Sequence, residues 1–294
     1  MRTQRPKTPI HLTEEEQQFK AELLNEGERR LSTLKASYYK VSTFKGRSDI
    51  SATMRQIKAV GLVKGVPQAL KILRRRYQMS LGIKFDEQFG VITKGIVCLN
   101  ELTVMNGERK FGGDYDGMDV GIFPYLISVL QSSHEEFTFV DFGAGMGRAV
   151  LLASNYEFRK IIGVEFTQEL CVIMEQNIDR YSNPKQQCFN LEAVCMDVTK
   201  FPIPDGKCVL FFFNPFKAET LLTVAGNITE AYKNNPRKIY VIFYNLYPDN
   251  LYPRNCFRKI LDKMESFKIR ATSIRDPRFL LFSPFDFAVY ESEA

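Results

Sequence analysis

Nine residues, Val140-Asp141-Phe142-Gly143-Ala144-Gly145-Met146-Gly147-Arg148, constrain this chain more than any other stretch. Phe137-Thr138-Phe139 leads into them and Ala149-Val150-Leu151-Leu152-Ala153 follows. The first apolar run predicts a buried strand and the second a helix packed on a sheet. Glycines at alternate positions let the backbone turn sharply and bring a ligand against main-chain N–H groups at a helix N-terminus. A dinucleotide fingerprint spaces its glycines as G-x-G-x-x-G. Here the spacing is G-x-G-x-G, and Asp141 stands two places before the first glycine. A carboxylate pointed into that pocket repels a pyrophosphate and attracts an ammonium group. Taken alone, the glycines also fit a plain tight strand–helix turn.

The chain after the loop alternates strand and helix. Lys160–Glu165 reads as the second strand, and Glu165 falls about 20 residues beyond the loop, where a ribose-binding acid is expected. A carboxylate there can accept both ribose hydroxyls. Thr167 is placed to cap a helix whose Leu170, Ile173, Met174 and Ile178 face the sheet, and Asn183-Pro184 stops it. Leu191–Cys195 is the third strand, with Asp197 just past its end. The unbroken apolar run Cys208–Phe213 marks a central strand covered on both faces. Open α/β sheets bind ligands beyond the carboxyl ends of their strands, so Asn214 should face the reacting centre. A helix over 221–232, a strand over 238–244, a helix over 253–266 and strands over 268–274 and 280–290 complete the pattern. The last two strands have no helix between them and predict an antiparallel hairpin at the sheet edge.

The loop and its acid together resemble the first motif of the class I S-adenosylmethionine (SAM) methyltransferases, and the likeness extends over residues 120–290 in order and pattern. It implies an α/β, Rossmann-like seven-stranded sheet with an antiparallel edge hairpin, and SAM as cofactor. In that family the loop wraps the methionine portion, which would assign Asp141, Gly143, Ala144 and Gly145 to it and Glu165 to the ribose. An Asp at the third strand end accepts from the adenine amino group while neighbouring backbone reads the ring, which would assign Asp197 and Val198. Asp197 also fits an ordinary N-cap or turn position. Asn214-Pro215-Phe216 resembles the [N/D]-P-P-[Y/F/W] element of amino-methyltransferases, without its second proline. It is equally close to the Asn-Asn-Phe element of the non-SET histone-lysine methyltransferases, whose Gly-Gln after the loop is similar to Gly147-Arg148. Both likenesses imply a nitrogen acceptor oriented by Asn214 and the main chain around Pro215 and Phe216. Bacterial members often fold a Tyr, followed by Pro and Ser/Thr, over the cofactor. Tyr115 matches that Tyr, but Gly117 stands where the Pro would be, so Tyr115 is either this lid or a loop aromatic.

The net charge of +6 is unevenly placed. Residues 1–113 hold 21 Lys/Arg against 11 Asp/Glu, whereas 114–294 hold 19 against 23. Residues 40–84 alone carry 11 basic residues and one acid, Asp49. That region either docks phosphate-rich or acidic material, nucleic acid included, or forms solvated helix faces over the cleft. Helices are expected over 13–39, 50–60 and 67–79, with a turn at Gly61 to Pro67 and a glycine-rich, irregular stretch over 85–117. The chain thus divides into a mainly helical, basic N-terminal region (1–115) covering the cleft and a methyltransferase domain (116–294). An inactive SAM-binding scaffold and an adaptor acting through the basic region are the competing classes.

The polar, charged start reads as lacking a signal peptide, and the longest apolar run is too short to span a membrane, which points to a cytoplasmic protein. The six cysteines form no C-x-x-C pair and read as reduced, mostly buried thiols. Only His11 and His134 are available as imidazole bases, and neither lies at a strand's carboxyl end. No His/Asp cluster suggests a metal. The pattern leans towards a nitrogen acceptor on a protein or small molecule, with nucleic acid possible.

Overall fold

Along each central strand, successive side chains alternate between two apolar covers, and this builds the core. The computed structural model describes residues 62–97, 99, 102–104, 115–130, 133–213, 216–244, 256–272 and 286–293. The helices expected over 13–39 and 50–60, and Asn214 and Pro215, lie outside those residues. In chain order come α1 (Leu62–Phe89), β1 (Ile96–Val97), β2 (Tyr115–Asp116) and α2 (Phe123–Ser128). Then follow β3 (Thr138–Phe142), α3 (Arg148–Ala153), β4 (Lys160–Glu165), α4 (Gln168–Arg180), β5 (Leu191–Cys195) and a 3-10 turn, Val198–Lys200. The chain continues with β6 (Cys208–Phe213), α5 (Ala218–Asn234), β7 (Ile239–Tyr244), α6 (Cys256–Leu261), β8 (Phe267–Thr272) and β9 (Phe287–Ser292).

Seven strands form one sheet in the order β5-β4-β3-β6-β7-β9-β8, while β1 and β2 pair antiparallel by themselves. β5, β4, β3, β6 and β7 run parallel, and β9 pairs antiparallel with both β7 and β8. This is the α/β, Rossmann-like architecture with an antiparallel edge that the resemblance implies. The order reverses at β3, whose neighbours are β4 and β6, so the crevice at the carboxyl ends of these strands is the place for a ligand. Phe139, Ile161, Val209, Phe211 and Ile242 point to the side covered by α2, α3 and α4. Phe142, Val164, Leu210, Phe212 and Phe243 point to the side covered by α5. Phe142, Phe212 and Phe243 sit side by side on β3, β6 and β7, their rings stacked at 4.8 and 5.7 Å. This ladder stiffens the strand ends just below the glycine loop.

Three expectations change. Helix α1 runs unbroken from Leu62 to Phe89, through Pro67, where a new helix was expected to start, and past Met79 to residues expected to be irregular. Tertiary contact overrides local propensity at its end: Phe85 and Phe89 pack against Tyr181, with ring centroids 5.9 and 5.0 Å away. Second, the helix expected over 253–266 is described only at Cys256–Leu261 and has ended before Ser266, whose φ of 64° lies in the left-handed region. Third, Cys171 and Cys195 are not thiols but a disulfide, with Cα atoms 5.9 Å apart. The crossover from β4 through α4 to β5 brings the first turn of α4 over the carboxyl end of β5, which sequence spacing does not reveal. Cys188 and Cys208 remain free and buried, as expected. No helix among the described residues is long and apolar enough to cross a membrane.

Peptide mapping without reductant is expected to recover a linked Cys171–Cys195 peptide. Cys195→Ala should lower stability under oxidising conditions by about 2–4 kcal/mol, most of which disappears when both proteins are compared in dithiothreitol. Recovery of both cysteines as free thiols from unreduced protein would remove the cross-link.

Candidate active site

The loop between β3 and α3 is built by backbone bonds to the neighbouring strand. Gly143 and Ala144 N–H donate to the Val164 carbonyl at 2.8 and 3.0 Å, and Gly147 N–H closes a turn on the Ala144 carbonyl at 2.8 Å. Gly143, Gly145 and Gly147 all have positive φ, of 77°, 55° and 85°. At Gly145 a side chain is excluded a second time. A Cβ there would stand 2.2 Å from two ring carbons of Tyr115, so the tyrosine lies directly on the loop backbone.

Glu165, at the end of β4, is buried and gathers four donors. Its Oε1 accepts from Phe166 N–H (3.0 Å), Thr167 N–H (2.8 Å) and the Thr167 hydroxyl (2.8 Å). Its Oε2 accepts from Gly145 N–H at 2.9 Å. Thr167 therefore sits at the N-cap of α4 but turns its hydroxyl to Glu165, and makes no side-chain cap bond. Bidentate acceptance of two ribose hydroxyls is not open to this carboxylate as it stands. Oε1 is filled, and Oε2 has room for one more donor.

Asp141, next to the end of β3, is also buried. Burial first, and the Glu165 charge second, push its carboxyl up to about 8. No donor among the described residues bonds it. Glu165 is likewise raised by burial, opposed by the bonds from Thr167, Gly145 and Phe166. The two acids thus differ in kind: Glu165 is held by hydrogen bonds, and Asp141 is a desolvated carboxyl with a like charge beside it.

Asp197 lies just beyond β5, and Met196 N–H donates to the Glu165 carbonyl at 2.9 Å, which ties the two strand ends together. Its Oδ1 accepts from Thr199 N–H (2.9 Å) and the Thr199 hydroxyl (2.8 Å), capping the 3-10 turn that begins at the buried Val198. Asp197 therefore does act as a cap. The neighbours of the Asn214-Pro215 pair are in place: Phe213 ends β6 with its ring stacked on Tyr244 at 5.2 Å, and buried Phe216 meets Phe212 edge-on at 6.0 Å. The Tyr244 hydroxyl donates to Asp119 at 2.6 Å. His134 sits before β3, at the opposite end of the sheet, packed on Phe158 at 4.9 Å.

Several residues at the site were not expected from sequence. Asn177 of α4 receives Ile92 N–H on Oδ1 at 2.8 Å and donates to the carbonyls of Ile92 and Met146, both at 2.8 Å. It thereby fastens the segment after α1 to the glycine loop. The available signal was a polar residue in the apolar stripe Leu170, Ile173, Met174, Ile178. Thr103 N–H donates to Glu169 at 2.8 Å and its carbonyl accepts from Gln168 N–H at 3.0 Å. Together with Tyr115, buried Val97, Leu99 and Leu102 form a small apolar cluster with Met146, Leu170 and Ile173. Tyr115 is thus part of a cover over the loop, not a solvent-facing aromatic.

No family model and no curated protein matches the chain. Solved structures do. The ribosomal protein L11 methylase of Lactobacillus delbrueckii subsp. bulgaricus is 12% identical, over 61% of this chain and 81% of that one, with a TM-score of 0.43. The precorrin-6y C5,15-methyltransferase of Geobacter metallireducens is 12% identical, over 69% and 99%, with a TM-score of 0.43. Human N-acetylserotonin methyltransferase in complex with SAM is 13% identical, over 59% and 52%, with a TM-score of 0.37.

The raised carboxyl of Asp141 fixes a sign. Its folded pKa of about 8 stands above an unfolded value near 3.9, so its contribution to stability is full below about pH 4 and is lost as pH rises through 8. Asp141→Asn should make the ligand-free protein more stable than wild type. The gap should widen by up to about 1.4 kcal/mol per pH unit between roughly pH 5 and 8. Thermal denaturation across that range checks this, and a pH-independent offset would show that Asp141 is ionised throughout.

Proposed function

We propose that the protein binds SAM at the carboxyl ends of β3, β4 and β5 and transfers its methyl group to a nitrogen acceptor beside β6. The observation that carries the reading is the Asp141 carboxyl, which is buried, sits next to a second acid and accepts no hydrogen bond from the described residues. A cationic ligand group would compensate it, and the ammonium of SAM has that charge. Glu165 Oε2, with one N–H partner, is suited to one ribose hydroxyl. Asp197 and the backbone at Val198 stand at the next strand end, on the adenine side. Gly143, Ala144 and Gly145 supply the turn around the methionine portion, and Tyr115 covers it. When bound, SAM supplies an electrophilic methyl on a sulfonium.

On the acceptor side the chain has to orient a lone pair, and need not generate a strong base. Asn214, the residue after Phe213, would accept an N–H of the substrate through its side-chain carbonyl, with the main chain at Pro215 as a second acceptor. Phe216, buried against Phe212, anchors the far side of this element. Such fixed acceptors aim the nitrogen at the methyl and offset charge developing on it. The position of His134 at the other end of the sheet leaves no described imidazole for deprotonating an oxygen acceptor. The acceptor is a protein side chain or small molecule, read from the Asn-Pro-Phe element; a nucleic-acid base is the outcome that an acceptor screen would have to return instead.

Calorimetry with SAM and S-adenosylhomocysteine is expected to show binding of both, weakened at least tenfold, about 1.4 kcal/mol, by Asp141→Ala or Glu165→Ala. No heat and no thermal stabilisation at millimolar ligand would make the cofactor reading wrong. With an acceptor found by radiolabelled screening of amines, peptides and RNA, Asn214→Ala should cut turnover by ~10²–10³. SAM affinity should then move by less than about threefold. Full turnover in that variant would reduce the Asn-Pro-Phe element to a strand terminator.

A further inference from the structure

Arg148, the first residue of α3, is almost completely buried, an unusual place for a guanidinium. It does not face the cleft acids but reaches back under the cover. Its Nε donates to the Thr93 hydroxyl at 2.7 Å, its Nη1 to the Met118 carbonyl at 3.1 Å, and its Nη2 lies 3.8 Å from Asp86 at the end of α1. Asp86 in turn accepts from Thr93 N–H (2.7 Å), the Thr93 hydroxyl (2.5 Å) and Lys94 N–H (2.8 Å). The Thr93 carbonyl accepts the Tyr115 hydroxyl at 2.6 Å, and the Tyr115 ring lies on Gly145. One continuous chain of contacts therefore runs from the start of α3 through Thr93 to Tyr115 and back to the glycine loop that α3 follows.

The space for this guanidinium is kept open by two glycines. A Cβ on Gly117 would stand 2.5 Å from Nη1 and 2.6 Å from the Thr93 carbonyl, and one on Gly82 would stand 2.8 Å from Nη1.

Resting on the SAM reading above, we infer that Arg148 is a positioning residue for the cofactor site. It holds Thr93, and through Thr93 the Tyr115 ring, against the loop that carries Gly145. The rigid planar fork donates to Thr93 and to the Met118 carbonyl from separate nitrogens and turns Nη2, which makes no hydrogen bond among the described residues, towards Asp86 as an ion pair; an ammonium gathers its donors on a single nitrogen. Asp86 balances its charge within the cover, so the clamp places no uncompensated positive charge beside a cationic ligand.

Arg148→Lys keeps the charge opposite Asp86 and loses the fork. Gly117→Ala keeps every charge and obstructs the guanidinium. Should the lysine variant fail to fold, the Arg148→Met/Asp86→Asn double variant removes both charges together. The readouts are S-adenosylhomocysteine affinity by calorimetry and amide hydrogen exchange. The expected result is at least tenfold weaker binding with faster exchange confined to residues 91–97 and 115–119, while the amides of β6 and β7 keep wild-type protection. Unchanged affinity, unchanged exchange in the cover, or a fall in protection spread evenly over the sheet would overturn the inference. If wild type itself binds neither SAM nor S-adenosylhomocysteine, the cofactor reading fails. The exchange pattern alone then decides whether Arg148 holds the cover.

Discussion

The hydrogen bond from Gly145 N–H to the Glu165 carboxylate is the contact on which the candidate site depends. It joins the end of β4 to the middle of the glycine loop, while the other oxygen of the same carboxylate organises the first residues of α4. A buried carboxylate is stable only when its lone pairs are met, and here backbone N–H groups of two different elements meet them. Loop shape, the start of α4 and the orientation of the acid are therefore fixed together. Moving any one of them would leave a buried charge unsatisfied.

The cover is fixed with equal economy of parts. Asn177 and Arg148 stand on the helices that flank the loop, and each reaches the short segment after α1, at Ile92 and Thr93. Phe85 and Val91 from this same region belong to the apolar core that includes Phe139 and Phe211 of the sheet. The end of α1 and the residues around Tyr115 are thus packed into the body of the α/β unit.

Most of the sheet could be read from sequence because its signals are local. A glycine turn between apolar runs, an acid at the end of β4 and the apolar run of β6 each identify one element and its end. What could not be read depends on contacts across long separations. Asn177 meets Ile92 across 85 residues and Arg148 meets Thr93 across 55. Asn177 shows in the sequence only as a polar residue within an apolar stripe, and Arg148 carries no local signal of its partner. The extension of α1 to Phe89 is of the same kind, because Phe85 and Phe89 are held there by Tyr181, far along the chain. The Cys171–Cys195 bond needed the crossover geometry of β4, α4 and β5. Asn214 and Pro215 illustrate the other limit: their neighbours Phe213 and Phe216 are positioned by ring packing, whereas their own role rests on motif likeness.

The distribution of charge around the loop bears on which of the two cofactor classes that a glycine turn allows would suit it. On the cover side the positive charge of Arg148 is met by Asp86 and contributes little net field. On the cleft side Asp141 and Glu165 stand together, both buried, and the described residues donate hydrogen bonds only to Glu165. A pyrophosphate placed here would bring negative charge against two carboxyls in a desolvated site. Its approach would be opposed at the very helix N-terminus that otherwise attracts it. A ligand with a cationic group reverses every one of those terms: it lowers the Asp141 carboxyl from near 8, relieves the repulsion from Glu165 and leaves the Gly145–Glu165 bond in place. The burial that makes ionised Asp141 costly therefore also favours a cationic group over an anionic one beside it.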